Sequence, residues 1–186
     1  SGAQPGEVLM FSLGLPLKMA DWSGLSLAVG LSVVQSLHPE LQLKWPNDVW
    51  LADRKLAGIL IETTQINDTR YAVIGVGINI TPRDGAGLAT PPAWLQELEP
   101  GITAPLALER VAAPLARDVR RFEAQGWVPF LSAYAARDAL AGREVDLSDG
   151  TTGQARGVDG SGALLMHTSG GLKKISSAEV SVRPSK

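Results

Sequence analysis

Residues 8–15 (VLMFSLGL) are apolar almost without interruption and predict a strand, though one too apolar for clean alternation. Residues 24–38 (GLSLAVGLSVVQSLH) carry apolar side chains at 25, 27–29, 31, 33–34 and 37. Apolar positions on most sides at helical period predict a buried helix, with Ser23 as its N-cap and Pro39 ending it. Three more strands are predicted, at 41–45 (LQLKW), 55–64 (KLAGILIETT) and 71–80 (YAVIGVGINI). PNDVWLADR, between the first two, predicts a turn and a short extended piece. The polar QINDTR between the other two predicts a hairpin. Residues 82–105 hold Pro82, Pro91, Pro92, Pro100 and Pro105 and predict mostly loop, with one short helical piece near PAWLQEL.

A helical stripe returns at 106–124, where Leu108, Val111, Leu115, Val119 and Phe122 fall on one side. Pro114 lies inside it and is expected to kink or interrupt the helix. Residues 126–140 predict another helix, starting around Val128 with Pro129 in its first turn. After Gly142 the pattern becomes short alternating segments broken by Asp-Gly, Gly-Ser-Gly and Gly-Gly, which is the mark of a small β-meander. The predicted organisation is therefore a first domain over 1–140 and a small β domain over 141–186. So short a β domain is expected to lean on the first for stability.

Composition narrows the chemistry. Of the 186 residues, 45% are hydrophobic, enough for a substantial core. The net charge of −2 does not favour broad nucleic-acid binding, which needs a basic face. There is no cysteine and there are only two histidines, so thiolate catalysis, disulfides and Cys- or multi-His metal sites are not expected. This suits a reducing cytoplasm. No apolar run reaches the roughly 18–20 residues of a membrane span. The start, SGAQPGE, lacks the basic and apolar regions of a signal peptide. It does not begin with Met, so a piece of a longer protein or a processed chain is expected.

The richest stretch is LKWPNDVWLADRKLAGILIE, residues 43–62. Lys44 closes one predicted strand and Lys55 opens the next. Pro46 forces the chain out of the ladder, and Asn47 and Asp48 follow in the turn. Gly58 sits inside an apolar strand, which weakens it unless something must approach closely. Gly75 and Gly77, two apart, clear one face of another strand, with Asn79 at its end. Two ammoniums, a carboxamide and a carboxylate at a sheet edge suit a substrate bearing a carboxylate or phosphates. Asn47 and Asp48 are also candidate Mg²⁺ ligands. Taken singly, PND is a turn, each lysine a solvated strand end and the glycine pair a bulge. No third glycine or helix start makes a dinucleotide fingerprint.

KWPNDVWLADRKLAGILIE followed by VIGVGINI resembles the central signature of biotin–protein ligases, and 142–183 resembles that family's small SH3-like β domain. The likeness runs from about Val8 to Arg183. It implies an α/β (α+β) fold: a mixed-sheet catalytic domain with a C-terminal SH3-like β-barrel. It implies an enzyme that joins biotin to ATP, giving biotinyl-5′-AMP. The biotin then passes to one lysine of the biotin carboxyl carrier protein of acetyl-CoA carboxylase. By the same resemblance Lys55 would stabilise charge near the biotin carboxylate and acyl-phosphate, and Lys44 would face the ATP phosphates. Asn47 and Asp48 would lie on the nucleotide and metal side, with Asp48 also positioning the attacking amine. Gly58, Ile59 and Leu60 would line the biotin pocket over a floor of Gly75 and Gly77. Asn79 would face the adenylate, and Arg183 would reach toward the nucleotide.

The family's Ser/Thr biotin-contact segment, its Gly/Arg-rich loop and the tryptophan after it have no counterpart in the given sequence, so these residues alone are expected to be impaired. A DNA-binding winged helix is likewise not matched, and no repressor activity or nucleic-acid partner is expected. Family members can form homodimers. A lipoate or octanoyl ligase of related fold, and a non-catalytic binding module of the same fold, remain as alternatives.

Overall fold

Odd and even positions of 69–79 divide one sheet into two faces. Ala72, Ile74, Val76 and Ile78 are buried, while Val73, Gly75 and Gly77 are partly open. The structure is a computed structural model that describes residues 7–83, 90–176 and 182–185. Its first sheet has β1 (Val8–Pro16), β2 (Gln42–Lys44), β3 (Asp48–Leu51), β4 (Arg54–Ile66) and β5 (Thr69–Asn79), in the order β1-β5-β4-β3-β2. Every named pairing in it is antiparallel, and the parallel component is an isolated bridge from Leu43 to Asp138. The strand over 8–15 does alternate: Leu9 and Leu15 face the core, while Met10 on the other face is 79% exposed. The β4–β5 hairpin closes through Asn67 and Asp68, with Asn67 at φ 54, a conformation asparagine tolerates better than most residues.

Two helices cover the apolar face. Helix α1 (Leu25–Leu37) is buried on most sides, as its sequence predicts. Its N-cap is Gly24 rather than Ser23. Gly24 has φ +82, and a Cβ there would lie 2.7 Å from the Trp127 ring, so close packing at this end excludes a capping serine. Helix α2 (Ala104–Gln125) is capped by Thr103 and buries Ala107, Val111, Leu115, Val119 and Phe122. It runs unbroken through Pro114, so the proline does not interrupt it. The buried stripe on either side holds the helical path and outweighs the missing backbone bond. Pro114→Ala restores that donor and should raise stability by about 1–3 kcal/mol. A denaturant titration showing no rise would mean that the proline is accommodated without cost.

The helix expected over 126–140 is much shorter. A 3₁₀ turn at Val128–Phe130 leads into α3 (Leu131–Ala135). The chain then leaves the helix to pair with Leu43, whose N–H donates to Arg137 O at 2.7 Å and whose carbonyl accepts from Ala139 N at 2.9 Å.

The second sheet comprises β6 (Glu144–Leu147), β7 (Thr152–Val158), β8 (Leu164–Thr168), β9 (Gly171–Ile175) and β10 (Val182–Pro184), ordered β10-β6-β7-β8-β9. It leans on the first layer through two buried tryptophans. Trp45 Nε1 donates to Gly162 O and Trp127 Nε1 to Asp159 O, each at 3.0 Å. Among the described residues, no helix is long and apolar enough to cross a membrane.

Candidate active site

The open face of the first sheet carries a cross-strand row. Lys44 pairs with Asp48, Asp48 with Gly58, Gly58 with Gly77, and Gly77 with Met10. The next row is Leu60, Gly75 and Ser12. Side chains in register on one face share that face, so the signature lysine, the aspartate and three glycines meet on one surface.

Lys55 needs a special device to join them. Strict alternation from Gly58 would send position 55 to the core. The β3–β4 register shifts between Val49 and Trp50, so that Leu56 is an extra residue on β4 and Lys55 pairs with Trp50. This bulge turns both Leu56 and Ala57 inward, at 0% and 2% exposure, and returns Lys55 to the open face. Its ammonium then lies 2.6 Å from Asp48 Oδ1. Gly58 makes room for this contact, because a Cβ there would sit 3.3 Å from Lys55 Nζ. The backbone of Lys55 is fixed from outside, where its carbonyl accepts from Ala93 N at 2.9 Å.

Lys44 completes the corner. Its Nζ is 3.9 Å from Asp48 Oδ2 and 5.9 Å from the centre of the Trp50 ring. Burial holds the Lys44 ammonium below the ordinary lysine value; Asp48 opposes this, while Lys55 and Arg183 add to it. The charge of Arg183, on the otherwise separate β10, therefore reaches this corner. Two ammoniums flank one carboxylate, and the Arg183 charge acts on Lys44 as well, an excess of positive charge that attracts anionic oxygens. Because Lys44 loses its proton at a lower pH than a free lysine, its attraction for phosphate should fade correspondingly early. A bound phosphate would raise the Lys44 pKa again, so affinity is full below the depressed value and falls as pH rises through it. The dissociation constant for inorganic phosphate should climb in that alkaline range, and Lys44→Arg should remove the early part of the climb. Identical pH profiles for both proteins would contradict this assignment.

Beside the cationic corner, a trough of about 640 Å³ opens over the sheet. Gly58, Gly75 and Gly77 line it, as do Met10, Ser12, Leu60 and Glu62. A Cβ on Gly77 would meet nothing within 4 Å, so that glycine faces open space. Leu60 is 61% exposed into the same region.

The sequence-predicted residues do not all contribute in the expected way. Ile59 lines the trough but its side chain is buried at 3% exposure, on the core face. Strand alternation dictates this, since Gly58 and Leu60 take the open face. Asn47 uses its Nδ2 to hold Ile59 O at 2.9 Å, which fixes the turn next to Asp48. Asn79 is on the open face but buried; Nδ2 donates to Ala93 O at 3.0 Å, and Oδ1 accepts from Arg83 at 3.1 Å. Met10, Ser12 and Glu62 are among the trough residues that sequence reasoning missed. Their signal was available, since even positions of 8–16 and 58–62 share a face once the register is known.

Comparison with known proteins follows the same lines. Residues 4–79 match the family model described as the biotin/lipoate A/B protein ligase family, and 141–183 match the biotin protein ligase C terminal domain. The chain is 32% identical over 186 residues to the biotin–[acetyl-CoA-carboxylase] ligase of Paracoccus denitrificans, covering 95% of this chain and 75% of that protein. It is 37% identical over 172 residues to the bifunctional ligase/repressor BirA of Escherichia coli (strain K12), covering 86% of this chain. The chain spans about half the length of that relative, 53%. Among solved structures, the biotin protein ligase of Aquifex aeolicus in complex with biotin and ATP superimposes with a TM-score of 0.84 at 28% identity, covering 96% of this chain and 79% of that one.

Proposed function

Because this chain belongs to the biotin–protein ligase family, we propose that the protein activates biotin with ATP and transfers it to a lysine of a biotin carboxyl carrier protein. The observation that carries this reading is the Lys44–Asp48–Lys55 corner at the end of a glycine-floored trough. In the first step a biotin carboxylate oxygen attacks the α-phosphorus of ATP. A P–O bond forms to give biotinyl-5′-AMP, and the bond to pyrophosphate breaks. In the second, the carrier lysine amine attacks the acyl carbon, AMP leaves, and the amine proton is released. No protein nucleophile is required; the work is orientation and charge stabilisation.

Lys55 neutralises the biotin carboxylate and the charge that develops during both transfers. Lys44 and Arg183 face the phosphates. Asp48 holds Lys55 in place and lies where the incoming amine must pass. Gly58, Gly75 and Gly77 let biotin lie against the backbone, with Leu60 and the Ile59 backbone beside it. Asn47 and Asn79 act on the nucleotide side by shaping the turn and the end of β5. A protein-held Mg²⁺ does not fit Asn47 and Asp48. The carboxylate already lies between two ammoniums. Magnesium would instead arrive on the ATP oxygens. We assign 1–140 as the catalytic domain and 141–186 as the β domain that delivers Arg183, in a cytoplasmic protein.

The family model also embraces lipoate ligases, so the acid itself is the test. In ATP–pyrophosphate exchange, biotin should support exchange by the full-length protein, and lipoate and octanoate should not. Exchange driven by lipoate in preference to biotin would overturn the assignment of substrate.

A further inference from the structure

Lys55 sits where the β3–β4 ladder is irregular. A bulge disrupts the pairing around its extra residue, so the aim of Lys55 depends on support from another element. That support is the run Pro92–Trp94. Ala93, at 0% exposure, donates its N–H to Lys55 O at 2.9 Å, and its carbonyl accepts from Asn79 Nδ2 at 3.0 Å. Arg54 holds the residues on either side of Ala93. Its Nη1 donates to Pro92 O at 3.4 Å, and its guanidinium lies 5.8 Å from the centre of the Trp94 ring. Glu97 closes the arrangement. Both of its carboxylate oxygens accept from the Arg54 guanidinium, Oε1 at 3.0 Å, and Oε1 also accepts from Trp94 N at 3.1 Å. Burial works to raise the Glu97 pKa, but the bonds from Arg54 and from Trp94 N–H, with the Arg54 charge, hold it below the ordinary glutamate value. The two side chains are 25% and 22% exposed. An ion pair so open to water adds little to stability, but a bidentate one fixes direction.

We propose that Arg54 and Glu97 are positioning residues for Lys55, clamping the 92–94 run so that Ala93 N–H holds the Lys55 backbone in the bulge and its ammonium stays beside Asp48. Arg54 pulls on both sides of Ala93, and Glu97 fixes Arg54 and the Trp94 backbone together. Loss of the clamp leaves Ala93 and Leu95 buried, at 0% and 2% exposure, so the fold holds while the aim of Lys55 loosens. A misplacement of about 1 Å can cost on the order of 100-fold in rate, and a clamp one step removed from the reacting group should cost about tenfold. Only this kinetic consequence rests on the ligase reading above.

The test has two arms on the full-length protein, using Arg54→Met, which keeps the aliphatic stem, Glu97→Gln and the double variant. The first arm is brief acetylation with N-hydroxysuccinimidyl acetate, read by peptide mass spectrometry. An amine engaged by a carboxylate is a poor nucleophile. Lys55 should therefore acetylate about threefold faster in Arg54→Met than in wild type, measured against the exposed Lys173, the scale of a loosened ion pair. Equal Lys55 rates overturn the proposal whether or not the protein is a ligase. In the second arm, single-turnover adenylation should fall about tenfold in each variant and no further in the double variant, because the two residues act as one unit. The KM for ATP, which depends on Lys44 and Arg183, and the thermal midpoint should stay where they are. A rate within about twofold of wild type, losses that multiply in the double variant, or a lower midpoint with losses in every parameter also overturns it. Wild-type protein that forms no biotinyl adenylate would sink the ligase reading instead, and acetylation would still decide the clamp.

Discussion

Lys55→Ala in the full-length protein should cut biotinyl-adenylate formation by at least ~100-fold, the scale of losing a charge-stabilising group aimed at the transition state. The geometry makes this the largest effect expected of any single side chain. The bulge at Leu56 brings Lys55 onto the open face, Asp48 Oδ1 holds its ammonium at 2.6 Å, and more than half of the side chain, 56%, remains open to a ligand. With Lys55 gone, the ion pair left to Asp48 among the described residues is Lys44, at 3.9 Å. The fold should survive, because the change removes no buried apolar contact. Single-turnover adenylation with a thermal melt as control separates the two effects. A rate within threefold of wild type would remove Lys55 from the mechanism.

Gly77→Val should weaken biotin binding by on the order of 100-fold, as expected when a side chain overfills a close-packed site, while leaving stability unchanged or slightly raised. The two expectations come from different facts. A Cβ at position 77 meets nothing within 4 Å, so the protein itself tolerates it. Valine is also favoured over glycine in a strand. Yet position 77 lies in the trough beside Gly58, its partner across the strands. A substitution harmless to the fold and harmful to binding marks a surface kept bare for a ligand. Isothermal titration with biotin alongside a denaturant curve reads both. Retained affinity would show that biotin does not lie over this floor.

Much of the arrangement was legible from the chain because it follows from period-two alternation. Gly75 and Gly77 share a face by spacing alone, and Gly58 joins them once β4 and β5 are read as a hairpin. The buried helix α1 and the stripe of α2 were equally legible from apolar spacing. What escaped was non-local or irregular. The bulge at Leu56 breaks the alternation that sequence reading relies on, so the sequence could suggest that Lys55 and Asp48 were close but not how they share a face. Pro114 signalled a kink or an interruption, and the packed stripe keeps the helix uninterrupted. The short α3 was decided by residues 137–139 pairing with Leu43, far away in sequence. Asn79 looked free at a strand end, but Ala93 and Arg83 claim both ends of its carboxamide.

Arg183 shows a different limit. Nothing in the tail VRPSK singles it out, and only the family resemblance pointed to it. Its placement depends on how the second sheet docks, which Trp45 and Trp127 set through carbonyls of Gly162 and Asp159. Those two indoles are the link between the core and the site: they are buried among apolar residues, and they bring a third cation toward Lys44.

The central claim is that this corner and trough form the adenylating site of a biotin ligase. The most direct measurement is to incubate the full-length protein with biotin and Mg-ATP and look for biotinyl-5′-AMP by mass spectrometry, then add a carrier domain. The account predicts adenylate above the no-protein control, lost with Lys55→Ala, and its discharge onto one carrier lysine with release of AMP. Protein that binds biotin and ATP yet never joins them would contradict it.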